Sequence, residues 1–570
     1  MRWKVKYDGI VTNENLLEIL LKNRGIEKDF IHPYTIEDLS NPMEIYDMQK
    51  AVDRIDKAIQ NKEKIYIHGD FDVDGTAATA ILWSYLYREK KADVMPYIPH
   101  RVDEGYGLSK KTLNKIIDDG SKLIITVDCG IKDIELTEYC KSKGVDIIIS
   151  DHHEFVHDDA DNPVLPDTIV IHGMHPKAEK KSIICGGVTA WKIICAIEYT
   201  YTGYGYNEKT IPYIDLAAIT TLSDIMPLKD ENRVIVDLGL QYMRGNLKIA
   251  DQDLRIGLQE LCKVSKVELI NLDTYHIGFV LGPRLNAPGR VENSAMNSLR
   301  LLCTDNKLKA QELAIHLDGL NKKRQDMTEK YIKEVISQID LNENGDAKSK
   351  VIVAYGENWP EGIVGLVAGK IAEKYYRPTF IMSHNIEEKK VTGSARSIKN
   401  FHAVKALDEC KEHLSRYGGH YMAAGFSLIP EKIEDFKTAL LKVGERILTD
   451  DDIIPELSID CILSGLSLTI NTVGEIKGLS PFGYGNATPV FASENVVHVS
   501  TKLMGTTQQH VKHTLNIDGI VVDGIIFNSP EKLKNLVSGE KYKVAFTLDE
   551  NEWNGKKTVQ LMIKDIVVTD

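Results

Sequence analysis

Between residues 64 and 150 short apolar runs alternate with amphipathic stretches. Ile65–Ile67, Val94–Ile98, Leu123–Val127 and Ile147–Ile149 have the length of strands, and Ala77–Tyr87 and Ile131–Lys143 between them carry helical spacing. That alternation predicts βαβ units and a buried parallel sheet. Residues 1–60 read as a helical arm, periodic at Leu16, Leu17, Ile19, Leu20 and Leu21 and again at Met48, Ala51, Val52, Ile55 and Ile59. Residues 231–345 read as a helical extension ending in a solvated connector helix. A second, smaller α/β unit is predicted over 346–448, with strands near Val351–Ala354 and Thr379–Met382 and helices near Val364–Tyr376 and His402–Glu412. From residue 449 strands and turns dominate, and Asn554-Gly555 between Tyr542–Leu548 and Val559–Ile563 is a hairpin turn signal. The tail 449–570 therefore predicts a small β-barrel. The expected fold class is α/β, with the parallel sheet in 61–230.

The chain has 570 residues, enough for three or four units at roughly 150 residues each. Its 43% hydrophobic and 27% charged residues exclude disorder. The net charge of −13 argues against coating nucleic acid by bulk charge, though not against one local positive groove. No apolar run approaches the ~20 residues of a membrane span, and Met1–Asp8 lacks the apolar core of a secretory signal. Eight scattered cysteines without a CxxC pair argue against disulfides or a zinc ribbon and fit a reducing cytoplasm.

Chemistry gathers at the strand ends. His68-Gly69-Asp70-Phe71-Asp72-Val73-Asp74-Gly75 follows the first strand, Asp128-Cys129-Gly130 the third and Asp151-His152-His153 the fourth. Asp224, after the apolar stretch Leu216–Ile219, reads as a further strand end. Ligands of open parallel sheets sit beyond the carboxyl ends of the strands, and so many carboxylates there repel one another unless cations neutralise them. Carboxylates with imidazoles and no thiolate suit Mn²⁺ or Mg²⁺, and their number suggests two ions. Two rival motifs overlap these residues, and the first is rejected. Asp70-x-Asp72-x-Asp74-Gly75 starts like an EF-hand loop but has Ile81 where a bidentate Glu is needed. His153-Glu154-Phe155-Val156-His157 matches the zinc-protease HExxH but leads into the loop-like Asp158–Pro163 instead of a helix.

Together these motifs resemble the DHH phosphoesterase superfamily and, within it, the RecJ family of bacterial single-strand-specific exonucleases. The resemblance extends to Tyr97–Arg101 with Glu104-Gly105-Tyr106-Gly107, to Gly282–Arg290, and to Gly393–Ser397 with Gly418-Gly419-His420, which is similar to a DHHA1 domain. Phe482–Asn486 with Pro489 and Phe491 is similar to the oligonucleotide-binding barrel of that family. The chain departs at Trp359-Pro360-Glu361-Gly362, where the pattern often has a His after the Trp.

The resemblance implies a DHH domain (61–230), a connector, a DHHA1 domain (346–448) and an OB-like domain (449–570). It implies that His68 and Asp72 hold one divalent cation, that Asp74, His152 and Asp224 hold the other, and that Asp128 bridges both. Asp70 would be a ligand or a supporting group, and His153 would face the scissile phosphate, making Asp74, Asp128 and His153 catalytic. Phosphate or DNA contacts are expected from Arg101, Arg284, Arg290 and Arg396, with Ser394, Arg396 and His420 beside a terminal phosphate. For each arginine a structural ion pair is the competing reading. Phe482, Tyr484, Phe491 and Trp553 are the aromatics available for base stacking in the tail. The implied activity is 5′→3′ hydrolysis of single-stranded DNA to nucleoside 5′-monophosphates by a two-cation mechanism. It would serve recombination and repair as a cytoplasmic monomer beside a helicase and a single-strand-binding protein. The alternatives are a superfamily phosphodiesterase for short oligonucleotides or cyclic dinucleotides, a non-catalytic relative, and the zinc protease.

Overall fold

A computed structural model describes residues 1–26, 33–247, 254–343 and 345–568, with the side chain of Lys532 left aside. They form two compact units, one of residues 34–453 and one uniting 1–33 with 454–570.

In the larger unit five parallel strands run in the order Val94–Tyr97, Ile65–Gly69, Leu123–Val127, Asp146–Ser150, Ile169–Ile171. The Leu123–Val127 strand is buried along its whole length, as a sheet covered on both faces requires. The Val73–Arg88, Gly186–Thr202 and Ile214–Ser223 helices pack with the Met48–Gln60 helix into the main core. Leu216–Ile219, read above as a strand, lies inside the Ile214–Ser223 helix, so Asp224 caps a helix C-terminus and no strand end. Residues Ile214 to Thr221 are all buried, so the run has no polar face to reveal its period.

The connector is the 30-residue helix Lys307–Ile336. Beyond it a second sheet runs in the order Arg416–Gly419, Ala423–Leu428, Lys390–Arg396, Thr379–Asn385, Ile352–Glu357, its last pair parallel and the others antiparallel. The expected strands at 351–354 and 379–382 are present, whereas the His402–Glu412 helix shortens to Ala403–Asp408.

In the smaller unit five strands close into a barrel. Phe491–Met504 pairs with His510–Ile517 on one side and Lys541–Trp553 on the other, and the circuit runs on through Ile520–Ile526 and Lys556–Val568. Asn554 and Gly555 carry the positive φ that the expected hairpin turn needs. The 1–60 arm departs from expectation. Arg2–Tyr7 is a strand that pairs in parallel with Glu456–Ile462, and the Leu16–Arg24 helix buries Leu16, Leu20 and Leu21 in the barrel core. Residues 34–60, including the Met48–Gln60 helix, belong instead to the unit and core of the parallel sheet. Alternating Lys and Arg with Trp3, Val5 and Tyr7 is a period-2 pattern of a half-exposed strand. No helix among the described residues is long and apolar enough to cross a membrane.

Candidate functional site

Strand register brings the acidic residues together. Gly69 pairs with Val127, and Val127 with Ser150. Asp70, Asp128 and Asp151 are the next residues, so they leave three adjacent strands in one row, about 4.8 Å apart per strand. Asp128 holds a left-handed backbone (φ 62°) and donates its N–H to the Ser150 carbonyl at 3.0 Å. A non-glycine residue takes that conformation at a cost, which a site that fixes a side chain direction can bear.

Asp72 caps the Val73–Arg88 helix, its Oδ1 accepting the Asp74 and Gly75 N–H groups at 2.9 and 3.2 Å. Asp74, the second residue of that helix, accepts the Gly186 and Gly187 N–H groups at 2.7 and 2.8 Å. Those donors open the Gly186–Thr202 helix, so its positive end faces the carboxylate. His152 Nε2 lies 3.0 Å from Asp128 Oδ1 and 3.6 Å from both Asp74 Oδ2 and Asp224 Oδ2. Three sets of donor atoms fall within 4.8 Å of one another: Asp70, Asp72 and Asp128; Asp74, His152 and Asp224; and Asp128, His152 and His153. Asp128 belongs to two of them. His68 lies on the strand that leads to Asp70 and is fully buried, and among the described residues neither its Nε2 nor Asp70 Oδ1 has a hydrogen-bond partner.

The electrostatics have the form of a cation site. Burial, and then repulsion from neighbouring acids, raises Asp70, Asp72 and Asp128 above the ordinary carboxylate range. The same causes push Asp224 up to about 8, with Asp74 and Asp72 its repelling neighbours. Burial draws His68 down to about 4, keeping its imidazole neutral and able to act as a ligand. Hard oxygen donors, neutral imidazole and two orphaned buried atoms fit Mn²⁺ or Mg²⁺.

Asp151 has another task. Its Oδ1 accepts the His152 and His153 N–H groups and contacts His153 Nδ1 at 2.7 Å, while Oδ2 accepts from Ile131 N–H at 2.9 Å. Burial would raise Asp151, but His153 and these donors hold it near 2. The pairing raises His153 despite its burial. Tyr106 Oη lies 3.1 Å from His153 Nδ1 and donates to the Asp128 carbonyl at 3.2 Å. His172 accepts the Met174 N–H on Nδ1, which leaves Nε2–H to donate to the His153 carbonyl at 2.9 Å. The loop is thus held from both sides.

A positive cluster adjoins the acids. Arg101 packs 4.6 Å over the Phe71 ring. Arg290 donates to the Gly362 carbonyl at 3.2 Å, and burial, then Arg101 and Arg324, draw it down to about 9. A Cβ on Gly362 would meet the Arg290 carbonyl at 2.5 Å, so glycine there lets the Glu361–Tyr375 helix touch Arg290. Pro360 stands immediately before that helix and leaves it intact. Arg396 donates to Ser394 Oγ at 3.0 Å and to the Ala395 carbonyl at 2.8 Å. Arg284 instead binds Asp318 at 2.8 Å, the ion-pair alternative raised for it above. His420 stands apart and exposed at the end of the Arg416–Gly419 strand, 3.1 Å from Glu154. The HExxH alternative has no helix, because Val156–His157 is a two-residue strand with both residues exposed.

Several contributors went unread in the sequence. Gly186-Gly187 before an apolar run is a helix-start signal for an anion that could have been found. Asn286, whose Oδ1 accepts the Val73 N–H at 3.1 Å, lies inside a motif already noted. Arg324, on a helix dense in charge, gave no signal. In the tail, Phe491 is core, Phe482 is half-buried, and Tyr484 and Trp553 are exposed.

Comparison with known proteins gives three family matches along the chain. Residues 64–221 match the DHH family N-terminal domain, 348–444 the DHHA1 domain and 459–565 the RecJ OB domain. The single-stranded-DNA-specific exonuclease RecJ of Bacillus subtilis (strain 168) is 35% identical across 100% of this chain and 71% of its own length. That of Haemophilus influenzae is 29% identical across 100% and 99%. The crystal structure of RecJ in complex with Mn²⁺ from Thermus thermophilus superposes with a TM-score of 0.82 at 26% identity, covering 100% of this chain and 80% of that one. Its Mg²⁺ complex gives 0.77, again at 26% identity, covering 100% and 79%. Matching these relatives along its whole given length, the chain belongs to the RecJ family of single-stranded-DNA-specific exonucleases.

Proposed function

We propose that this chain is a metal-dependent exonuclease that degrades single-stranded DNA from the 5′ end and releases nucleoside 5′-monophosphates. The observation that carries the reading is Asp128, whose carboxylate belongs to the donor set of Asp70 and Asp72 and lies 3.0 Å from His152 of the set with Asp74 and Asp224. In this assignment His68 and Asp72, aided by Asp70, hold one cation, Asp74, His152 and Asp224 hold a second, and Asp128 touches both. A cation pair supplies Lewis-acid stabilisation of charge building on the phosphate and makes water nucleophilic at neutral pH. His153, its Nδ1 taken by Asp151, presents the rest of its ring to the scissile phosphate. Arg101 and Arg290 grip backbone phosphates, and Ser394, Arg396 and His420 surround a terminal one. Arg284, paired with Asp318, is assigned a structural role.

The division of labour follows the expected segments. Residues 61–230 carry the reaction, 231–345 the connector with Arg290 and Arg324, and 346–448 the terminal-phosphate contacts. The barrel segment 449–570, to which the N-terminal strand adds, binds single strands, with Tyr484 and Trp553 available for stacking. An enzyme confined to single strands needs duplex opened for it, which supports a helicase and a single-strand-binding protein as partners in recombination and repair. The eight free cysteines support work in the reducing cytoplasm.

The test is a long single strand labelled at either terminus and digested with Mn²⁺, Mg²⁺ or chelator. Release of the 5′ label as mononucleotide from the first turnovers, and no digestion under chelator, are expected. Early release of the 3′ label, or cleavage without cation, would refute the reading.

A further inference from the structure

Glu154 follows the Asp151-His152-His153 element directly, and its Oε2 lies 3.1 Å from His420 Nδ1. The His420 N–H donates to the Ala423 carbonyl at 2.7 Å, and Ala423 is the register partner of Arg396. The backbones of Arg396, Ala423 and His420 therefore lie in one row across the second sheet, about 10 Å wide. A carboxylate of the catalytic loop thus reaches the imidazole that ends this row.

The pair is built to come apart. His420 is 51% and Glu154 75% exposed. Such exposed ion pairs are worth about 0–1 kcal/mol. A terminal phosphate carries up to two negative charges and three acceptor oxygens, more than one carboxylate offers. A 5′-hydroxyl end has no anion to exchange.

We infer that Glu154 is a specificity-determining residue that occupies His420 until a terminal phosphate displaces it and returns when the mononucleotide leaves. The inference rests on the proposed role of His420 beside a terminal phosphate. Glu154 lowers the advantage of phosphorylated ends over hydroxyl ends by the cost of its own displacement. In exchange, it competes with retention of the nucleoside 5′-monophosphate product.

The experiment compares the full-length protein with Glu154→Gln, His420→Ala and the double variant on 5′-phosphorylated and 5′-hydroxyl strands at saturating Mn²⁺. Glutamine keeps the shape and removes the charge. The ratio of kcat/KM for phosphorylated over hydroxyl ends is expected to rise about 2–5-fold in Glu154→Gln, matching an exposed ion pair. The inhibition constant of a nucleoside 5′-monophosphate should fall by a similar factor. Both changes should vanish in the His420→Ala background. An unchanged or lowered ratio in Glu154→Gln, where His420→Ala by itself lowers it, overturns the role of Glu154 alone. A ratio that His420→Ala leaves unmoved overturns the terminal-phosphate assignment of His420, and the inference falls with it.

Discussion

The Gly186 N–H donates a 2.7 Å hydrogen bond to Asp74 Oδ2, joining the start of one buried helix to a carboxylate on another. The bond orients Asp74 before any cation arrives, and the helix dipole supports its charge. A Cβ at residue 186 would lie 2.6 Å from Asp128 Cβ and 3.0 Å from Asp74 Oδ2. Gly186→Ala is therefore expected to spread Asp74 from Asp128 and weaken Mn²⁺ binding about 10–100-fold, the range seen when groups that orient metal ligands are disturbed. Titrating Mn²⁺ against activity measures this. Full activity at wild-type Mn²⁺ would show that the close approach is not needed.

Asp128→Asn separates catalysis from stability. Asp128 is repelled by Asp74, Asp72, Asp70 and Asp151 while it is buried. In chelator, removing its charge should leave the melting temperature unchanged or raised. In Mn²⁺ the wild-type protein should gain stability, about 2.7 kcal/mol at a hundredfold excess over Kd, while the variant gains less and turns over no substrate. Melting curves with and without Mn²⁺ decide. A variant that melts lower than wild type in chelator would mean that the carboxylate supports the fold.

Arg396 donates to Ser394 and the neighbouring Ala395 carbonyl but meets no carboxylate at hydrogen-bond distance among the described residues. Arg396→Ala should cost about 1.5–3 kcal/mol, roughly 10–150-fold in KM, on 5′-phosphorylated strands and much less on 5′-hydroxyl ones. Equal losses on the two ends would assign Arg396 to the backbone grip.

Which of these residues could be read beforehand follows from how locally each signal is written. The parallel sheet was legible because short apolar runs end in acids, and the row of Asp70, Asp128 and Asp151 follows from register once the strands are known. Asp224 was found for the wrong reason, since a helix buried on every side looks like a strand when only four apolar residues are weighed. Lys390–Arg396 and Ala423–Leu428 went unread because Gly393, Ala395, Ala423, Ala424 and Gly425 lack the branched side chains that announce strands. Arg324 approaches Arg290 only through the packing of distant segments, which no local pattern encodes. Arg2–Tyr7 pairs with a strand more than 450 residues away, so its alternation had no visible partner.

The barrel carries a pH-dependent element of its own. His513 is buried, its Nδ1 3.0 Å from Thr501 Oγ1 and its Nε2 3.0 Å from the Leu533 carbonyl, with His498 across Thr501 at 2.9 Å. Burial, and then the neighbouring His498, draw His513 down to about 4. The folded barrel keeps this ring neutral, whereas the unfolded chain protonates it near pH 6.5. The unfolded state therefore binds more protons between these values, so the contribution is whole above about pH 6.5 and is lost as pH falls toward 4. Thermal melts of the full-length protein at pH 7.5 and 5 should show a larger drop for wild type than for His513→Gln, which has no proton to gain. An identical drop in the two proteins would assign the acid sensitivity elsewhere. The loss would also be cation-independent, because His513 belongs to the barrel unit while the clustered acids belong to the other. Repeating the two melts with and without Mn²⁺ separates this histidine from the carboxylates, whose stability must change with the metal.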